Sequence, residues 1–289
     1  MKQRTKIFLT ILPLLLAGIV LINLFFGMFF EDFVLALEQS QVQAAKESVS
    51  SYISEKLAKY LANANDWGHW DDTFLFVRGE NGAFVRDNIT EETFRNLDLD
   101  FMVFTGPDGA IYHQQHYSFR EKAFSPFPEG FMDGFRGVLE YSRQGDDAGG
   151  LFRMGDGFYF VAATDITDSI ITEKPVGKMI IGKRIDGVIS AEIEKISGCT
   201  LGPIRVTVKP GAAEPDGTGS TVHSSLTDNG EAIDIELIIS NAFDPDSAVL
   251  FPLRMPRTFY LMGIKKAREF AINNTAGSLA VALLIFLLL

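Results

Sequence analysis

Two uninterrupted apolar runs stand near the ends of the chain and set its frame. Residues 7–30 hold 24 positions without a charge. As a helix they reach about 36 Å, enough to cross a hydrocarbon core of roughly 30 Å with a modest tilt. Residues 271–289 are uncharged over 19 positions, with Asn273, Asn274 and Thr275 weakening the first turn. Between the runs, residues 33–64 contain no proline or glycine. Apolar side chains recur there every three or four positions, at Val42, Ala45, Val49, Ile53, Leu57, Tyr60, Leu61 and Ala64, which predicts one long amphipathic helix. Gln43, Lys46, Glu47, Ser50, Glu55 and Lys59 form its polar face.

Shorter patterns follow. Residues 74–77 read as a hydrophobic strand. Residues 101–104 and 110–113 flank a Gly/Pro/Asp turn and predict a hairpin. Residues 158–163, after the Gly155, Asp156, Gly157 turn, and residues 178–184 read as further strands. Val188, Ile189, Ile193 and Ile196 give residues 186–196 a helical spacing, and residues 204–208 close the block as a strand. A parallel sheet would need a crossover helix between each pair of strands, so the order predicts an antiparallel sheet with helices on one face. Such a sheet can enclose a space the size of a small molecule. Residues 210–221 read as a loop. Residues 233–239 and 248–251 read as strands that either extend towards the membrane or complete the main sheet.

Charge orients this frame. Against 26 basic residues stand 37 acidic ones, for a net charge of −11. No basic excess is available for nucleic acid. The 47 % hydrophobic content argues against disorder, and the single Cys199 excludes an intramolecular disulfide. Lys2, Arg4 and Lys6 precede the first run while Glu31 and Asp32 follow it, which predicts a cytoplasmic N-terminus and an extracytoplasmic residue 31. Lys265, Lys266 and Arg268 oppose that orientation mildly. The first run exceeds a signal-peptide core, and no small-x-small cleavage site follows it, so an uncleaved anchor is expected. The chain stops inside the second run, which reads as a truncation.

Asn65, Asp66, Trp67, Gly68, His69, Trp70, Asp71, Asp72 and Thr73, followed by the apolar residues 74–77 and then Asn88, resemble the opening signature of the CHASE4 family. CHASE4 domains are extracytoplasmic sensory modules related to Cache and PAS-like folds. The family pattern continues with a strand, an Asp-Gly turn and a strand, as residues 101–112 do. Its later part is similar to residues 157–161, 175–177, 179–182 and 186–189. Residues 253–259 resemble the stretch before the second membrane helix of such receptors. The resemblance covers residues 40–208 well and the remainder loosely. It implies an α+β, PAS/Cache-like antiparallel sheet with a long N-terminal helix, flanked by two transmembrane helices. It also implies a cytoplasmic output, commonly a diguanylate cyclase, a phosphodiesterase or a histidine kinase, which these 289 residues do not contain. The family name supplies no ligand. The expected organisation is a cytoplasmic stretch at 1–6, a first transmembrane helix at 7–30 and a CHASE4-like domain at 31–208. A membrane-proximal β-rich extension at 209–270 and a second transmembrane helix at 271–289 complete it.

Several residues are candidates for a site. Trp67, Trp70 and Phe74 share a helical face at their spacing and either wall a pocket or belong to the core beneath the long helix. Asp71 and Asp72 either brace a helix-to-strand transition or receive a cationic or hydroxylated ligand. A buried carboxylate there needs a partner such as Arg86. His69 and Asp72 are three apart, but no second cluster has metal-site spacing and His113 and His116 flank a hairpin, so no metal is expected. Arg254 and Arg257 precede the second run and either pin its helix through a bidentate ion pair or meet lipid phosphate. No G-x-S-x-G, H-E-x-x-H or G-x-x-x-x-G-K-[ST] pattern occurs and Cys199 has no catalytic setting, so neither an enzyme nor a cofactor is expected.

The sequence therefore predicts the sensory part of a receptor of the inner (plasma) membrane. It binds an unidentified small molecule, contacts lipid, forms a homodimer and shifts a helix across the bilayer. The alternative is a non-catalytic membrane protein that binds a partner or dimerises through its long helix; an extracytoplasmic hydrolase is a third class.

Overall fold

The computed structural model describes residues 3–144, 147–208, 220–226, 230–240 and 247–288. The chain forms two compact units. One comprises Met1–Ala44, Ser224–Asp234 and Met255–Leu289, the other Ala45–His223 and Ile235–Arg254.

The long amphipathic pattern folds as α1 (Gln3–Gly68). In the larger unit its Ala45, Val49, Ile53, Tyr60 and Ala64 are buried, the face that the spacing predicts. Three short helices follow: α2 (Asp71–Val77), α3 (Phe84–Asn88) and α4 (Glu91–Leu97). The first corrects the strand expected at 74–77. Asp71 and Asp72 occupy its first turn, where carboxylates meet the positive end of the helix dipole. Its four-residue apolar run then buries Phe74, Phe76 and Val77 in a helical pattern.

A six-stranded antiparallel sheet is the centre of this unit. Its strands are β1 (Phe101–Thr105), β2 (Ile111–Ser118), β3 (Ala123–Phe124), β4 (Ala148–Met154), β5 (Gly157–Asp165) and β6 (Lys178–Arg184), in the order β3-β2-β1-β6-β5-β4. The fold class is thus α+β with a long N-terminal helix and an antiparallel sheet, as expected. One face of the sheet carries Phe101, Val103, Tyr159, Val161, Ala163 and Ile180. It packs on Phe131, Phe135 and Val138 of α5 (Phe131–Gln144). The opposite face meets α1, where the Tyr60 and Phe160 rings lie 5.9 Å apart. Burying each such aromatic side chain contributes on the order of 1.5–3 kcal/mol.

Asp186 caps α6 (Gly187–Ser197), accepting the Val188 and Ile189 N–H groups. The remaining strands, β7 (Thr200–Leu201), β8 (Arg205–Val208), β9 (Ser220–Leu226), β10 (Ala232–Ser240) and β11 (Ser247–Pro256), build a separate five-stranded sheet. Residues 233–239 and 248–251 therefore do not complete the main sheet. Most of the loop expected at 210–221 lies outside the described residues, and its last two positions begin β9.

The smaller unit holds the N-terminal part of α1 beside α7 (Thr258–Leu288). Asn23 donates to Thr275 Oγ1 at 3.2 Å, and Phe26 lies 4.5 Å from Phe270 between ring centroids. Polar side chains in an apolar stretch gain by pairing across helices in this way. Among the described residues one helix, α1, is long and apolar enough to cross a membrane. The described part of α7 does not meet that measure, so two spans are not established.

Candidate functional site

The tryptophan motif builds a corner. α1 ends at Gly68 and Trp70 is extended (φ −104°, ψ 130°), so the helical spacing that was to align Trp67, Trp70 and Phe74 stops there. Trp67 and Trp70 do meet edge-on at 5.7 Å. Their third partner is Phe84, at 6.4 and 6.0 Å, rather than Phe74. Phe74 is buried beneath the Arg78 guanidinium. Asp71 accepts the Ser169 N–H at 2.8 Å and so braces the β5–β6 loop. The Thr167 N–H donates to the Gly68 carbonyl at 3.1 Å. Asp72 lies half-buried in the first turn of α2. Arg86 is not a partner of either aspartate. It is exposed and chelated by the neighbouring Asp87 at 2.7 Å.

None of Trp67, Trp70, Asp71, Asp72, Phe74 and Arg86 lines either of two cavities in this unit. The smaller, about 320 Å³, lies beside the β1–β2 turn and includes Asp165 and Lys178, which form a 2.9 Å ion pair. The larger, about 740 Å³, lies at the opposite end of the same strands. Its wall carries Asp100 before β1, His116 and Ser118 of β2, Tyr159 of β5, Arg184 of β6, and Asp186 and Ser190 at the start of α6. Tyr159 and Arg184 are cross-strand partners in the β5–β6 register.

Electrostatics single out this second cavity. Burial raises the Asp100 carboxyl to about 6, against the opposing pull of Lys183 and of the Arg184 N–H, which donates to its Oδ2 at 2.8 Å. Burial also raises the Tyr159 phenol to about 12 and lowers His116, whose Nδ1 lies 2.9 Å from Ser125 Oγ. Lys183 is 4 % exposed and connects the cavity wall to the long helix. Its Nζ lies 3.6 Å from Asp100 Oδ2 and 3.0 Å from Asp98 Oδ1, and 3.4 Å over the Phe119 ring. Asp98 in turn accepts from Tyr60 of α1 at 3.3 Å and lies 4.0 Å from Lys59. Asp98, Asp100, Tyr159, Lys183 and Arg184 were not singled out from sequence. The available signal was charge placed directly at the ends of apolar strands.

In the smaller unit, Arg257 takes the bidentate role left open for it. It donates from Nε to Glu38 Oε1 at 2.7 Å and from Nη2 to Oε2 at 2.8 Å, while Nη1 donates to the Gly230 carbonyl at 3.2 Å. Its guanidinium stacks 3.7 Å over the Tyr260 ring. Arg254 is exposed on β11, opposite Thr200. No group of three or more metal-ligating side chains occurs among the described residues.

The larger unit thus sets a long helix on one face of an antiparallel sheet, with a polar cavity at the strand ends. The chain belongs to the CHASE4 domain family, whose sequence profile matches residues 52–203, more than half of its length. A relative is the methanogenesis regulatory histidine kinase FilI of Methanothrix harundinacea (strain 6Ac), 28 % identical over 258 residues. The match takes in 88 % of this chain but spans only 28 % of FilI. The extracellular domain of vpHK1S-Z8, a protein assigned as a histidine kinase, shares the fold with a TM-score of 0.50 and 11 % identity, over 76 % of this chain and 96 % of that one.

Proposed function

We propose that this chain is the input part of a membrane receptor that binds a small molecule in the cavity walled by Asp100, His116, Tyr159 and Arg184. Binding is then read by α1, and the signal passes through the bilayer to a cytoplasmic output. The observation that carries this reading is the path from Asp100 through the buried Lys183 to the half-buried Asp98 and on to Tyr60, which ties the cavity wall to α1. A ligand that favours one arrangement of these charges favours one seating of α1. Leu21, Phe25, Met28 and Phe29 of α1 are exposed, which suits a lipid-facing segment. The family and the kinase relative support the receptor role. No catalytic step is assigned to the chain.

The test is a screen of small metabolites against the full chain in nanodiscs, read by melting temperature. At least one compound is expected to raise it saturably and to change amide hydrogen exchange along residues 49–64. A blank screen, or binding that leaves α1 exchange unchanged, sinks the reading.

A further inference from the structure

The larger cavity has an unmet demand that names its ligand class. Tyr159 is 1 % exposed, and its hydroxyl is buried without a hydrogen-bond partner. Such an orphan is costly unless something completes it. The ring is fixed by edge-on contacts with Phe101 and Phe131, at 6.0 and 5.4 Å, so it cannot turn away freely. Arg184 stands directly across the strand pair, on the same face of the sheet. A Cβ built on Gly157 would lie 2.8 Å from Arg184 Nε and 3.1 Å from Tyr159 Cε2, so both side chains flank one backbone position. Arg184 reaches Asp156 at 3.1 Å, but that carboxylate is 77 % exposed, and such pairs hold weakly.

The carboxylates of the wall are placed differently. Of the three, Asp100 already accepts the Arg184 N–H and faces Lys183, Asp186 already caps α6 with two N–H groups, and Glu121 is exposed. Donors are therefore under-used here and acceptors are supplied. A cation would find only the exposed Glu121, next to Arg120 in the chain, whereas an oxyanion would find a phenol, a guanidinium and the Ser118 and Ser190 hydroxyls on one wall.

We propose that the cavity binds a small molecule through an oxyanion, a carboxylate or a phosphate, held by the Tyr159 hydroxyl and the Arg184 guanidinium. This rests on the sensor reading above and adds the ligand's chemistry. Tyr159 donates its proton to the anion in a hydrogen bond and Arg184 supplies charge and direction. The remaining volume takes the body of the ligand beside Phe119, Pro126, Pro128 and Ile185.

The experiment titrates the full chain in nanodiscs with acetate, benzoate, inorganic phosphate, acetamide and methylammonium, read by calorimetry. At least one of the three anions saturates; a response to phosphate alone assigns the phosphate source, and to acetate or benzoate the carboxylate source. Acetamide and methylammonium do not bind. Tyr159→Phe and Arg184→Gln each weaken the anion at least tenfold. Tyr159→Phe leaves the melting temperature of the unliganded protein unchanged or higher, because it removes an unpaired hydroxyl, and this separates lost binding from lost folding. No saturation by any anion, or anion binding indifferent to both variants, overturns the oxyanion assignment. If the metabolite screen nevertheless yields a neutral or cationic binder that alters α1 exchange, the sensor reading stands without it.

Discussion

Arg257 and Glu38 form a two-pronged ion pair, at 2.7 and 2.8 Å, in which neither side chain is more than a tenth exposed. Glu38 belongs to α1 and Arg257 lies just before α7, so the pair fastens these two helices within the smaller unit. Removing one partner strands a buried charge, at about 3–5 kcal/mol, whereas replacing both by apolar groups of similar volume is far milder. Arg257→Ala and Glu38→Ala are therefore expected to lower the melting temperature of the protein in nanodiscs sharply, and Glu38→Met with Arg257→Met to recover most of the loss. Arg257→Lys keeps the charge but loses the fork and falls between. A double-mutant cycle that shows independent, additive losses refutes the fastening.

Gly68 is required by close approach. A Cβ at that position would lie 2.5 Å from Thr164 Cγ2 and 2.7 Å from the Asp165 carbonyl oxygen. One obstacle is a methyl group and the other is backbone, so a shift must follow. Gly68→Ala is expected to cost about 1–3 kcal/mol, as overpacking does. Adding Thr164→Ser removes the methyl and restores only part of it. A melting temperature of Gly68→Ala equal to that of the parent protein contradicts this account of the corner.

Where a segment's own pattern decides its structure, the sequence is readable. Residues 178–184 are β6 to the residue, an apolar run bounded by charge, and Asp186 announces the cap of α6. Where contacts decide, it is not. α5 carries apolar side chains at Phe131, Phe135 and Val138, a helical spacing hidden by Gly134 and Gly137. Gly134 is there because α5 approaches β4 so closely that a Cβ would meet the Arg153 carbonyl oxygen at 2.5 Å. Residues 71–77 mislead because four apolar residues fit a strand or a buried helix equally well. The motif around Trp67 is conspicuous, yet its residues brace a corner. The larger cavity draws on Asp100, His116, Tyr159 and Arg184, which only strand register brings together. Register depends on pairing across the sheet, and no local pattern encodes it.

Asp100 makes stability depend on pH. Its carboxyl titrates at about 6 in the folded protein instead of 3.8, because burial outweighs the attraction of Lys183 and the Arg184 N–H, with Asp98 and Asp186 adding to the rise. The folded state therefore holds this proton more tightly than the unfolded chain does. The associated stability is complete below about pH 4 and is lost as the pH rises through about 6, at most on the order of 3 kcal/mol. Asp100→Asn keeps a carbonyl oxygen to accept the Arg184 N–H and removes the titration, while Lys183 retains Asp98 at 3.0 Å. The melting temperature of the parent protein is expected to fall relative to Asp100→Asn between pH 4 and 6.5, with a constant difference above. Melting curves of the two proteins at half-unit steps of pH decide it, and a difference that does not change across this interval removes Asp100 as the source.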